Sequence, residues 1–128
     1  MNKAESKILV VDDEYVFCKT LKEYFSRLGY VVVICMNGEQ ALDLITEEKP
    51  DLMTLDMRMP GMNGYDIIRK LQREKSDLKV VVISAIDTPE MADKLARSGP
   101  HAVIHKPANL DLLGKTVKQL LEQETSRG

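Results

Sequence analysis

Five polar side chains each follow a short apolar run, at positions where a buried strand would end. They are Asp12, Asp13, Asp56, Ser84 and Lys106. In an open parallel sheet the carboxyl ends of the strands lie along one edge, where ligands bind, so residues distant in sequence converge there. Three carboxylates, a hydroxyl and an amine in one cleft are the chemistry of a divalent cation, a phosphoryl group and a nucleophilic aspartate.

The three aspartates predict a metal site. Like charges in one cleft repel and raise one another's pKa, which a bound cation would reverse. Hard oxygen ligands favour Mg²⁺ over Zn²⁺, with Mn²⁺ as a substitute. Two simpler explanations stay open at this point: Asp13 as the N-cap of the next helix, and Asp56 as a loop-start aspartate that bonds local backbone N–H groups. Neither explains Asp12.

The elements that must position these residues alternate between strand and helix patterns. The predicted strands are Lys7–Val11, Val31–Cys35, Leu52–Asp56, Lys79–Ser84 and Ala102–His105. The predicted helices are Glu14–Leu28, Gly38–Glu48, Tyr65–Glu74, about 89–99 and about 110–124. Asn37, Thr88 and Asn109 stand at helix starts as capping residues, and Pro89 follows at the first helical position.

Strands joined by helices of this length pair in parallel with right-handed crossovers. The strands are apolar at nearly every position, which indicates helices on both faces of the sheet. We therefore predict an α/β fold, a flavodoxin-like doubly wound (βα)5 sandwich with a five-stranded parallel sheet of order 2-1-3-4-5. Its topological switch lies between strands one and three, where Asp12, Asp13 and Asp56 fall.

Composition bounds the class of protein. The 128 residues suit one domain, with a core over about 7–121 and a polar C-terminal tail at 122–128. A net charge of -2 does not favour nucleic-acid binding, and we find no apolar run long enough for a bilayer. Met1–Lys7 is polar and lacks signal-peptide features. Cys18 and Cys35 lack metal spacing and are expected to be reduced, in a cytoplasmic protein.

The sequence resembles the receiver domain of response regulators in two-component signalling. The resemblance covers about Lys7 to Leu121. The matching residues are Asp12-Asp13, Asp56, the loop Met59-Pro60-Gly61-Met62-Asn63-Gly64, Ser84-Ala85 and Lys106-Pro107, in this order.

The resemblance implies a phosphorylation switch. Asp56 would be the phosphoacceptor. Asp13 and Asp56 would bind Mg²⁺ directly together with the backbone carbonyl of Arg58, and Asp12 would hold the ion through water. The activity would be limited to self-catalysed phosphoryl transfer and hydrolysis, as in a signalling domain rather than an enzyme acting on other substrates.

The resemblance also implies roles for the other polar residues and for partners. Lys106 would contact the phosphoryl group, Ser84 would hydrogen-bond it after transfer, and the Lys106-Pro107 bond would be cis. The donor would be a histidine kinase or a histidine phosphotransfer protein. The output would go to a downstream protein, or to an output domain in a larger regulator, through the surface of the fourth helix, fifth strand and fifth helix.

Three positions, Val103, Ala108 and Arg58, depart from the family pattern. Val103, three residues before the lysine, stands where an aromatic residue usually reports the switch. His105 shares its strand face, and we hypothesise that it serves recognition, against the alternative of an incidental exposed residue. Ala108 replaces a common Phe. Arg58 either lies over the phosphoryl site and tunes hydrolysis, or is a solvated loop cation.

The sequence leaves three rival functions open. An aspartate-nucleophile phosphatase would need a second Asp two residues after the nucleophile, where Arg58 follows Asp56 and Glu14 follows Asp12. A flavin-binding flavodoxin relative would need a Ser-, Thr- and Gly-rich phosphate loop in place of the acids after the first strand. A degenerate receiver would bind partners without phosphorylation, and Val103 keeps this alternative open.

Overall fold

The computed structural model describes residues 5–61 and 63–126. The strands are β1 Lys7–Val11, β2 Val31–Cys35, β3 Leu52–Leu55, β4 Lys79–Ser84 and β5 Ala102–His105. The helices are α1 Tyr15–Arg27, α2 Gly38–Glu48, α3 Gly64–Arg73, α4 Pro89–Ser98 and α5 Leu110–Ser126. The predicted elements are confirmed with small shifts at their ends. Helix α5 continues to Ser126, about two residues beyond its predicted end near 124; positions 127–128 and Met62 lie outside the described residues.

All five strands run parallel in the order β2-β1-β3-β4-β5, as predicted. Val11 pairs with both Cys35 and Leu55, so β1 lies between β2 and β3, beside the switch point. Backbone hydrogen bonds continue just past the strands, from the Asp56 N–H to Val11 at 3.0 Å and from the Lys106 N–H to Ser84 at 3.0 Å. The sheet itself therefore brings the polar residues after β1, β3, β4 and β5 to one edge.

The core forms two layers, one on each face of the sheet. Alternate strand residues supply each layer because successive side chains point to opposite faces. One layer contains Leu9, Val11, Met53, Leu55, Val82, Ile67 and Leu95, and the other contains Ile8, Val10, Leu52, Ile83, Phe25, Leu113 and Val117. Helices α2, α3 and α4 cover the first layer, and α1 and α5 cover the second. Burial of this apolar area anchors the strands whose ends carry the polar residues.

Side-chain caps fix several helix starts near the same edge. Asn37 accepts from the Gln40 N–H at 2.8 Å, and Thr88 accepts from the Met91 N–H at 3.1 Å. Helix α1 differs, because its N-cap is Glu14 and makes no side-chain capping bond. The capping explanation for Asp13 is therefore wrong.

The two cysteines are buried and free. Burial is the largest cause that raises the pKa of Cys18 and of Cys35 to about 11 each. Both thiols are therefore protonated at neutral pH and unreactive while the chain is folded. Within the described residues, no helix is both long and apolar enough to cross a bilayer.

Candidate functional site

Three carboxylates meet at the carboxyl edge of the sheet. Asp12, Asp13 and Asp56 each place one oxygen within 4.8 Å of the others. Asp12 and Asp56 are almost fully buried, at 1% and 6% exposure, whereas Asp13 is exposed at the rim. Such a set of hard oxygen donors, partly open to solvent, suits an ion such as Mg²⁺ that keeps some of its waters. The donor chemistry therefore fits the predicted cofactor.

Lys106 reaches into this cluster from the end of β5. Its Nζ donates to Asp12 Oδ2 at 2.8 Å and to Glu14 Oε1 at 2.7 Å, and lies 3.5 Å from Asp56 Oδ2. The Lys106 Nζ lies over the ring of Phe17, 4.7 Å from the ring centroid. The Lys106-Pro107 bond is cis, as the resemblance implies. The glutamate was missed as a lysine partner; its only sequence signal is its place directly after the two aspartates.

The charges around the lysine are unbalanced. Burial lowers the pKa of Lys106. Hydrogen bonds to Asp12 and Glu14, together with the charges of Asp12 and Asp56, raise it by more, so the pKa lies well above its usual range. Burial raises the pKa of Asp12 and outweighs the bonds from Lys106 and the Glu14 N–H, while the charge of Asp56 adds to the rise. One fixed cation faces several carboxylates, so a second cation would stabilise the ionised cluster.

Asp56 Oδ1 already has two donors. The Ser84 hydroxyl donates to it at 2.9 Å and the Arg58 N–H at 3.1 Å. The resemblance implies that Ser84 bonds the phosphoryl group after transfer, but in the unmodified chain its hydroxyl already points at Asp56. The reason is that Ser84 is fully buried and its hydroxyl needs an acceptor, which the carboxylate supplies.

A close backbone approach positions the loop after the acceptor. A Cβ at Gly64, the first residue of α3, would overlap Met57, which directly follows Asp56. Only glycine allows α3 to begin this close to the acceptor's neighbour. Met57 and Met59 are buried, so their side chains pack the loop from below.

Two of the residues singled out in the sequence, Arg58 and His105, contact the loop after β4. The Arg58 guanidinium forms an ion pair with Asp87 and lies 3.8 Å from the Met91 sulfur. His105 Nε2 lies 2.9 Å from the Ile86 carbonyl oxygen. Both contacts therefore bind side chains to the loop 85–88 after β4.

An apolar cleft of about 550 Å³ lies beside the lysine. It is lined by Glu14, Phe17, Thr20, Lys106, Pro107, Ala108 and Leu110. The methyl group of Ala108 is partly buried against the α1 and α5 layer. The small side chain at this position therefore borders an opening next to the carboxylate cluster.

The model of the response regulator receiver domain family matches residues 8–118. Sporulation initiation phosphotransferase F of Bacillus subtilis strain 168 is 36% identical over 115 residues, which cover 90% of this chain and 93% of that protein. Other curated relatives are longer regulators, of which this chain spans about half or less.

Solved structures of receiver domains also match this chain over most of its length. A CheY-like response regulator receiver domain protein from Methanospirillum hungatei JF-1 has a TM-score of 0.88 at 25% identity, covering 97% of this chain and 99% of that one. A BeF3-activated DrrB receiver domain has a TM-score of 0.83 at 30% identity, covering 92% and 98%.

The chain belongs to the response regulator receiver domain family. It is thus a signalling domain of two-component systems, a switch activated by phosphorylation, and its aspartate pocket is consistent with that role. Receiver domains bind Mg²⁺ at an acidic pocket, and the cluster of Asp12, Asp13 and Asp56 is compatible with such binding.

Proposed function

We propose that Asp56 is the phosphoacceptor of this switch. The observation that carries the proposal is its surroundings: Ser84 and the Arg58 N–H on one carboxylate oxygen, and Lys106 at 3.5 Å from the other. Asp12, by comparison, lies directly after β1 and is held by Lys106 and by the Glu14 N–H. Both Asp12 oxygens hold a hydrogen bond, whereas Asp56 Oδ2 faces Lys106 at 3.5 Å, so this oxygen of Asp56 is better placed to form a bond to phosphorus.

Asp13 and Asp56 would bind Mg²⁺ directly, with the Arg58 carbonyl as a third protein ligand and Asp12 acting through water. When bound, the ion neutralises charge on the phosphoryl oxygens. The exposure of Asp13 supports this assignment, because an ion bound at the rim keeps its access to water. Mn²⁺ has the same preference for oxygen and is expected to replace Mg²⁺.

The chemical step is a transfer between two nucleophiles. A carboxylate oxygen of Asp56 forms a bond to phosphorus while the phosphorus–nitrogen bond of a phosphohistidine breaks, and its electron pair stays with the imidazole nitrogen. Lys106 stabilises the negative charge on the transferring oxygens. Ser84 then donates to a phosphoryl oxygen in place of the carboxylate. Water later hydrolyses the aspartyl phosphate, and this self-catalysed cycle is the whole activity of the chain.

The phosphodonor would be a histidine kinase or a histidine phosphotransfer protein. Asp56 is buried, so a donor protein must dock over the rim of the site. Tyr15 and Val16 lie there on α1, 58% and 75% exposed, directly after the Glu14 that binds Lys106. Large exposed apolar side chains beside a reactive group favour a protein contact. Residues 1–128 would act as one receiver domain whose α4, β5 and α5 surface contacts a downstream protein or an output domain.

The first experiment is intact mass spectrometry after incubation with acetyl phosphate. The wild type is compared with Asp56→Asn, with and without Mg²⁺. We expect a single phosphoryl adduct that requires both Asp56 and the metal. The Asp51→Asn variant is the matched control, because Asp51 lies at the opposite end of the same strand region and should retain the adduct.

An adduct that persists in Asp56→Asn would contradict the assignment of the acceptor. No adduct in any sample would favour a binding module that works without phosphorylation.

A further inference from the structure

His105 is the last residue of β5 and lies directly before Lys106. Its ring is exposed, yet Nε2 lies 2.9 Å from the Ile86 carbonyl oxygen in the loop after β4. A carbonyl only accepts, so Nε2 carries the proton of this hydrogen bond. The side chain therefore joins the end of the edge strand to the loop, although it has open solvent beside it.

This hydrogen bond is part of a continuous set of contacts that begins and ends at Asp56, the proposed phosphoacceptor. Asp56 accepts from Ser84, and the chain runs two residues onward to Ile86, whose carbonyl accepts from His105. His105 is covalently joined to Lys106, whose ammonium faces Asp56 again. Ser84 and His105 are also register partners in the β4–β5 pair.

The neighbouring surface position cannot make this connection. Val103 lies on the same exposed face of β5, at 40% exposure, but its side chain has no hydrogen-bonding group. Ile104 between them points into the core. Within β5, the only side chain seen to contact the loop 85–88 through a hydrogen bond is thus that of His105.

A phosphoryl group extends outward from the carboxylate that bears it. To follow its oxygen, Ser84 must shift relative to its present position on Asp56 Oδ1, and the backbone that follows Ser84 shifts with it. Ile86 is two residues away, so its carbonyl changes position against the fixed end of β5.

From these contacts, and resting on the proposed phosphorylation of Asp56, we infer that His105 is the positioning residue that transmits the state of the site to the exposed face of β5. The hydrogen bond to Ile86 would transmit this change, a role that the resemblance gives to an aromatic side chain at the position of Val103. The exposed face around Val103 and His105 then changes for a partner when the loop moves.

The test is backbone amide NMR of the full chain in Mg²⁺, before and after addition of beryllofluoride as a phosphoryl mimic. In the wild type we expect shifts at Ser84, Ile86 and Val103. In His105→Ala the shifts at Ser84 persist, and most of the shift at Val103 is lost. His105→Gln, which retains an N–H donor of similar reach, restores the response at Val103.

Val103→Ala is the control, because it alters the same face without touching the hydrogen bond; its loop response should equal that of the wild type. An undiminished response at Val103 in His105→Ala would overturn the inference, as would loss of the response in His105→Ala that the glutamine variant does not restore. A wild type that shows no shift at Asp56 or Ser84 would overturn the proposed function itself, and this inference with it.

Discussion

Polar groups are paired differently at the two edges of the sheet, the amino edge where the strands begin and the carboxyl edge where they end. At the amino edge several polar groups are paired with one another: the Lys7 ammonium donates to Glu48 at 3.0 Å, and the Lys7 N–H donates to Asp51 Oδ2 at 2.8 Å. His101 Nδ1 accepts from the Val80 N–H at 3.0 Å. Such pairing joins neighbouring strands and helices without any added ligand.

At the carboxyl edge one lysine is shared among Asp12, Glu14 and Asp56, and Asp13 lies beside them. The raised pKa of Asp12, caused mainly by burial, shows that this arrangement disfavours its own ionised form. The comparison teaches that the amino-edge groups pair within the chain, whereas the carboxyl edge is the one proposed to receive a cation and a phosphoryl group. Substitutions at the two edges should therefore separate stability from function.

The largest expected effect follows from removal of the shared cation. Lys106→Met leaves buried carboxylates without their partner, and breaking such a pair costs about 3–5 kcal/mol when it is fully buried. Lys106 keeps 16% side-chain exposure, so we expect a loss of roughly 2–3 kcal/mol in denaturant titration. Adduct formation with acetyl phosphate should slow at least about a hundredfold, the lower end of the range for loss of one charge-stabilising donor.

Lys7→Met at the amino edge is the matched control. It removes a half-exposed ion pair worth about 0–1 kcal/mol and should leave the rate of adduct formation unchanged. Equal slowing in both variants would remove the distinction between the edges.

A smaller effect of opposite sign is expected for Asp12→Asn. Because the folded pKa of Asp12 is raised, its contribution to stability is present below the usual value of 3.8 and is lost as pH rises through the folded pKa. The amide cannot ionise, so at pH 7 without Mg²⁺ the free energy of unfolding of the variant should be higher by roughly 1 kcal/mol. The variant should accordingly unfold at a higher denaturant concentration. It should also show less stabilisation by added Mg²⁺.

The reverse result for Asp12→Asn, a loss of stability in metal-free buffer, would mean that the hydrogen bond from Lys106 outweighs burial at this carboxylate.

At the amino edge, Asp51→Ala should lower stability without a change in chemistry. The variant loses the acceptor of the Lys7 N–H, a bond worth about 0.5–1.5 kcal/mol. Thermal unfolding should report the loss, and the adduct mass should be that of the wild type. A reduced yield of adduct at equal folding would show that the two edges are coupled.

The smallest effect concerns His101 and pH. Burial first, and the charge of Lys79 second, lower the pKa of His101 below its usual 6.5. For a base with a lowered pKa, the stabilising contribution is present above 6.5 and is lost as pH falls through the folded value. The midpoint of urea unfolding should therefore drop between pH 7 and pH 5 by more in the wild type than in His101→Gln. Parallel pH curves for the two proteins would exclude this role.

Much of this arrangement was predictable from sequence, for identifiable reasons. Apolar periodicity and caps such as Asn37 and Thr88 locate the elements, because these signals act within a few residues. Parallel topology then brings Asp12, Asp56 and Lys106 to one edge without knowledge of any side-chain angle.

The contacts that were missed depend on side-chain conformation. Glu14 and Lys106 are 92 residues apart, and either could have extended into solvent. The ion pair of Arg58 with Asp87 likewise joins two half-exposed side chains from different loops. Rotamers of long polar side chains at a surface follow local geometry, which sequence patterns do not encode.

The hydrogen bond from Ser84 to Asp56 bears on the resting signal of this protein. Because the hydroxyl already points at the proposed acceptor, we expect the active conformation to need only a small shift of Ser84 and to differ mainly in the loop that follows. Two states that differ by about 1.4 kcal/mol coexist at a ratio of roughly ten to one. We therefore expect a basal fraction of unphosphorylated molecules in the active conformation. Phosphorylation would then raise the ratio of active to inactive molecules, and the protein would give a low basal signal without it.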